Sequence, residues 1–210
     1  MGRITDLKVN KTNKRVSIFV DGTFSFSLNK ELAVEAGLHK GQDIYPNQIR
    51  ELANDDLYQT CLSAAVKYLS YRPRSEAEVR QRLYKRGFSN NVINRVIKQL
   101  KQQKLINDAE FAQYWRDNRL SFNPRSKRMI KLELRRKGIA TETIDEIADE
   151  LDDEESAYKI GLKKARFLIS LPYDDFCKYL YNYLGRRGFN YDVISCVQTR
   201  LWNELSASSE

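Results

Sequence analysis

Leu83–Leu100 reads LYKRGFSNNVINRVIKQL, and the chain restates this pattern twice without a gap. The copies are LRRKGIATETIDEIADEL over Leu134–Leu151 and LGRRGFNYDVISCVQTRL over Leu184–Leu201. Each sets a leucine, a cationic pair, a glycine and a large apolar residue ahead of apolar positions at helical spacing. A glycine between two such stretches reads as a helix stop, because the left-handed residue that closes a helix strains any side chain there. The glycines fall at 87, 138 and 188. Three helices per ~50 residues, repeated in tandem, is the architecture this spacing predicts, since neighbouring units can bury faces that one unit alone cannot.

Outward from the glycines, each unit has the same plan. Cys61, Leu62, Ala65, Val66 and Leu69 set one apolar stripe along a helix that ends near Arg72-Pro73. Ser75-Glu76-Ala77-Glu78 then has capping-box spacing for a helix to Arg86, and Val92, Ile93, Val96, Ile97 and Leu100 line the helix after Gly87. Asn107-Asp108-Ala109-Glu110 opens the second unit in the same style. That unit runs from Asp108 to Leu120, turns at Asn123-Pro124-Arg125-Ser126, reaches Lys137 and Gly138, and ends at Leu151. The third starts near Glu154 and turns near Pro172. The expected division is 58–106, 107–153 and 154–205 for the repeats, with 206–210 a frayed tail.

Residues 1–57 follow a different period. Val16, Ile18 and Val20 alternate with polar or outward positions, as do Phe24, Phe26 and Leu28, and Asp21-Gly22 between them is a two-residue hairpin signal. Ile4–Val9 offers a further strand, Asn29 caps a short helix stopped at Gly37, and Pro46 opens another helix. The fold class expected is therefore mainly α, with a small N-terminal α+β module containing a β-hairpin.

The net charge of +8 over 210 residues makes a polyanionic or acidic partner a natural expectation. The charge is local. Residues 1–57 balance eight basic side chains against eight acidic, whereas 58–104 hold eleven against two. Arg119–Lys137 is a second cationic stretch, cancelled by the acidic run Glu142–Glu155. The N-terminus lacks an apolar segment of signal-peptide length, and Asp6 spoils a myristoylation pattern after Gly2. Cys61, Cys177 and Cys196, odd in number and scattered, read as buried reduced thiols, so a soluble protein of a reducing compartment is expected.

No constellation for catalysis stands out. His39 is the one histidine, no cysteine pair has ligand spacing, and Gly37–Gly41 lacks the phosphate-cradling pattern. The run Asp149–Glu155 offers carboxylates for Mg²⁺, but a helix end followed by a helix start is its commoner meaning. What remains is cationic surface. Arg72, Arg74, Arg80, Arg82, Lys85 and Arg86 crowd the first repeat. Arg116, Arg119, Arg125, Lys127, Arg128, Lys131, Arg135 and Arg136 crowd the second, and Arg186 and Arg187 precede the third glycine. Arginine suits bidentate capture of phosphate or carboxylate. Some of these simply complement helix C-termini, but their recurrence before each glycine predicts a shared binding surface. Phe111, Tyr114 and Trp115 have faces for base stacking, with core packing the better reading. Three equivalent helix-turn-helix units are excluded, because ATETIDEIADELDDEE after Gly138 would repel phosphate. That helix is expected to meet a basic protein surface or solvent.

YLSYRPRSEAEVRQRLYKRGF, LINDAEFAQYWRDNR, PRSKRMIKLELRRKGI and YLGRRGFNYDVI, in this order, resemble the RecX family of recombinase regulators from about Tyr58 to Leu205. The resemblance implies an elongated, curved array of three-helix repeats, cytoplasmic and non-enzymatic, with no cofactor. It implies a regulator that binds the RecA–DNA filament and suppresses its ATPase, strand-exchange and co-protease activities, in homologous recombination and the SOS response. The expected partners are RecA and single-stranded DNA, with double-stranded DNA a further candidate; no membrane is expected, and the protein should be a monomer. The alternative is a nucleic-acid-binding protein acting on DNA without RecA. Two departures stand out: the β-containing module over 1–57, and Leu171-Pro172-Tyr173 where the other repeats have Pro-Arg-Ser.

Overall fold

The structure, a computed structural model, describes residues 1–10 and 14–207. Four strands form one sheet in the order β3-β2-β1-β4, from β1 (Gly2–Asn10), β2 (Arg15–Val20), β3 (Thr23–Asn29) and β4 (Asp43–Ile44). The β2–β3 hairpin turns on Asp21 and Gly22, both at positive φ (48° and 82°), as the type I′ turn requires. α1 (Lys30–Glu35) follows at once, its first turn capped by the Asn29 side chain, which accepts from Glu31 N. Ile4, Val16, Ile18, Leu28, Ala33 and Ile44 form the core of this module. The two-residue strand β4 was invisible in the sequence, because nothing so short carries a period.

α2 spans Pro46–Leu69, so the boundary expected between 57 and 58 falls inside one helix. Its N-terminal half belongs with the sheet: Ile49 and Leu52 pack on the module core. Asp56, 6% exposed, accepts from Asn29 N at 2.7 Å and from Arg15 Nη2 at 2.7 Å. The C-terminal half is the first helix of repeat one, with Cys61 and Ala65 buried. Val66, expected on the same stripe, is exposed. α3 (Glu76–Tyr84) and α4 (Asn90–Gln102) complete that repeat, and α4 buries Ile93, Val96, Ile97 and Leu100.

Repeat two is α5 (Asp108–Phe122), α6 (Lys127–Arg136) and α7 (Thr141–Asp149). It closes over Phe111, Ile130, Leu134, Ile139, Ile144 and Ile147. Repeat three is α8 (Asp153–Ala165), α9 (Tyr173–Gly185) and α10 (Tyr191–Ala207), closing over Phe176, Leu180, Leu184, Ile194, Val197 and Leu201. Asn107 and Asp152 cap α5 and α8 by accepting from two backbone amides of the first turn, Ala109 and Glu110 in the first case, Glu154 and Glu155 in the second. Such caps contribute roughly 1 kcal/mol each. α10 takes in Ser206 and Ala207 of the expected tail; the rest of that tail, 208–210, lies outside the described residues.

Two compact units result, one of Met1–Arg72 with Arg80–Gln103, the other of Pro73–Val79 with everything from Lys104 onward. Gly87, Gly138 and Gly188 have φ of 87°, 77° and 90°, the left-handed helix stops that the repeat pattern predicts.

Candidate nucleoprotein interface

Within the second unit, the glycine turns are also joints. Ser75 Oγ donates to Lys137 O at 2.7 Å, Glu76 N donates to Asp108 Oδ1 at 2.8 Å, and a Cβ placed on Gly138 would lie 2.6 Å from Ala77 Cβ. The second joint uses the equivalent positions. Ser126 N donates to Arg187 O at 3.1 Å and Lys127 N to Asp153 Oδ1 at 2.6 Å, and a Cβ on Gly188 would run into Met129 Cγ. Both serines are fully buried. The Pro-Arg-Ser turn is thus the plug for the next glycine turn. Leu171-Pro172-Tyr173 has no serine at this place, and the space beside Gly87 is open.

The joints divide the cations that precede the glycines. Lys137 is half-buried and pairs with Glu78 across its joint. Arg187 lies over the Tyr183 ring at 3.9 Å and donates to Tyr183 O at 3.0 Å. One position earlier, Lys85, Arg136 and Arg186 are all exposed, with no ion-pair partner among the described residues, and so are Arg86, Arg128 and Arg135. Only this position, two before each glycine, is cationic and open in all three repeats.

Other predicted cations are internal ties. Arg116 bonds Asp117 at 2.8 Å and also Glu150, which raises its pKa further, the Asp117 bond contributing most. Lys127 reaches Asp149 at 3.0 Å and Lys131 reaches Asp145 at 2.7 Å, holding the Asp145 carboxyl below its usual range. Arg119 bonds Glu133 at 2.7 Å over the Trp115 ring. Arg125 Nε is shut from solvent 3.9 Å from Glu133. The acidic helix α7 therefore faces solvent, as one of the two expectations had it, while Asp145 and Asp149 also pair with lysines of their own repeat. Arg80 bonds Asn94 at 2.6 Å, Arg82 lies over Tyr68 at 5.7 Å, and Arg72 and Arg74 are also engaged within the fold.

Phe111 is core, as the better reading had it, and Trp115 packs on that core and donates to Glu133 at 2.8 Å. Tyr114 is exposed, against the core reading, and the most exposed aromatics lie elsewhere. Tyr71, Phe122 and Phe167 are 72%, 82% and 82% exposed, each near the end of its repeat's first helical segment. Sequence reasoning passed over them; Tyr71 and Phe122 carry a legible signal, both standing two residues before the proline of the turn. Of the cysteines, only Cys61 is buried, its thiol pushed up to about 11 by desolvation, and Cys196 is exposed. No group of three or more His, Cys, Asp or Glu side chains that could hold a metal ion occurs among the described residues. Asp149, Asp152 and Asp153 of the acidic run are spent on a lysine pair, a cap and a joint. Among the described residues, no helix is long and apolar enough to cross a membrane.

Three family descriptions match in chain order: the regulatory protein RecX N-terminal domain over residues 2–45, the RecX first three-helix domain over 61–100 and the RecX second three-helix domain over 107–147. Regulatory protein RecX of Clostridium perfringens (strain SM101) is 31% identical over 209 residues, 97% of this chain and 98% of its own. That of Clostridioides difficile (strain 630) is 32% identical over 207 residues, 97% of each. The chain belongs to the RecX family of regulatory proteins. A crystal structure of regulatory protein RecX matches with a TM-score of 0.68 at 24% identity, over 95% of this chain and all of the other. RecX from Lactobacillus salivarius matches at 0.62 and 25%, over 70% and 97%. The module over 1–57 is therefore a family feature, correcting its reading as a departure: the N-terminal description covers its sheet and α1.

Proposed function

We propose that this RecX-family protein inhibits RecA by binding the RecA–DNA filament and suppressing its DNA-dependent ATP hydrolysis, with strand exchange and co-protease activity falling together. The observation that carries this reading is the open cation two residues before each repeat glycine, Lys85, Arg136 and Arg186. Each repeat offers one unpaired charge from a shoulder fixed by a helix stop, and a filament offers phosphates and carboxylates at regular intervals. Arg86, Arg128 and Arg135 supplement them. The half-buried cations of repeat two are withdrawn from this role, because their charge is already satisfied within the fold.

The test is DNA-dependent ATP hydrolysis on preformed RecA filaments. Inhibition at low protein excess, with free DNA still abundant, supports a regulator acting on the filament. Inhibition only when DNA is titrated out would favour the alternative, a protein acting on DNA without RecA.

A further inference from the structure

The second unit contains a cleft of about 500 Å³ between the turn that ends α5 and the helices α8 and α9. Its lining includes Lys159, Lys163, Arg166 and Arg187 and not one carboxylate. Lys159 is paired with Glu155 at 3.2 Å and Arg187 with Tyr183, but Lys163 and Arg166 have no partner among the described residues. Three aromatic rings share the lining, those of Phe122, Tyr158 and Tyr183. Tyr183 is backed by Arg187, and Tyr158 by Arg200 at 3.9 Å, its hydroxyl donating to Glu204 at 2.6 Å. Those two rings are held in place, whereas Phe122 projects into solvent, 82% exposed. An unsupported phenyl ring beside unpaired cations serves neither core nor joint.

We infer that this cleft is a binding site for single-stranded nucleic acid, a base stacking on Phe122 while Lys163 and Arg166 hold the adjoining phosphates. An acidic peptide would satisfy the lysine and arginine but gives no use for an exposed ring, whereas every base has a face to lay on it. A duplex keeps its bases stacked on one another, so it would meet only the cations. The inference extends the proposed filament-binding role by naming a strand site between repeats two and three, apart from the open cations before the glycines.

The experiment is fluorescence anisotropy of a labelled oligothymidylate with the full chain, without RecA, across a salt series. F122A should weaken binding about five- to a hundred-fold, the range that loss of one base–aromatic stack produces. K163A/R166A should weaken it and flatten the log–log salt slope by roughly 1.4, about 0.7 for each phosphate left without its cation. Both changes are at unpaired side chains, and circular dichroism should show parental helicity. An unchanged F122A affinity overturns the site even if the cation variant binds less well, because only diffuse charge would then be felt. Labelled polyglutamate bound with the same dependence on Phe122 would also overturn it, in favour of an acidic peptide. Because RecA is absent, these results stand apart from the ATPase inhibition that tests the proposed function.

Discussion

Gly138 has two reasons to lack a side chain, and Gly87 has one. Both adopt positive φ, which costs a non-glycine residue about 1–2 kcal/mol. At Gly138, unlike Gly87, a neighbouring turn closes the space, with Ala77 Cβ 2.6 Å from where a Cβ would stand. Gly87→Ala should therefore cost ~1 kcal/mol and Gly138→Ala and Gly188→Ala ~2–4 each, since at Gly188 the buried Ser126 Oγ would also lie 2.7 Å from a Cβ. Chemical denaturation of the three variants checks the order; equal losses would deny the joints. Asp153 provides a second residue-scale test. Burial is the leading cause of its raised pKa, outweighing the Lys127 amide it accepts from. The native state then holds this proton more tightly than the unfolded chain. The associated stability is full below the ordinary aspartate pKa of about 3.9 and lost as pH rises through the native value. Asp153→Asn keeps an acceptor oxygen without the charge, so its melting temperature relative to the parent should improve as pH is raised from about 3 to 7. A difference that is flat or reversed would contradict this.

Among the elements, α2 was the hardest to foresee. Two apolar faces in succession, Ile49 and Leu52 toward the sheet and then Cys61 and Ala65 toward repeat one, blur any single stripe, so one 24-residue helix read as two. Asp56 fastens the N-terminal face, holding both Arg15 and the Asn29 amide. Asp56→Ala should cost about 2–4 kcal/mol, because both partners are left short of an acceptor where water reaches poorly. Thermal unfolding checks it, and a change under about 0.5 kcal/mol, the usual scatter of surface substitutions, would mean the sheet is secured otherwise. Elements with one strong local signal were legible: the Asp21-Gly22 hairpin, the Asn29 and Asn107 caps, the glycine stops. β4 and the joints were not, because a two-residue strand and a serine meeting a carbonyl 62 residues away depend on tertiary placement.

At the scale of the whole molecule, a repeat needs both a face that joins it to its neighbour and a face that is left over. The cation before each glycine illustrates the division: Lys137 and Arg187 are drawn into joints, Arg86 has no joint to serve, and Lys85, Arg136 and Arg186 stay open. Sequence could show that cations recur in the repeats but not which would be spent inside, because the acids that engage Lys137, Arg119, Lys131 and Lys127, namely Glu78, Glu133, Asp145 and Asp149, lie 14 to 59 residues away. Exposed charges contribute little to stability, so the open set can be removed without unfolding the chain. The most direct measurement is inhibition of DNA-dependent ATP hydrolysis on preformed RecA filaments by K85A/R136A/R186A, beside K30A/K40A, two exposed lysines of the N-terminal module, as the control. The account predicts that the triple variant melts like the parent yet needs at least about tenfold more protein for half-inhibition, while the control inhibits normally. A triple variant that inhibits as well as the parent, or a control that loses as much, would contradict it.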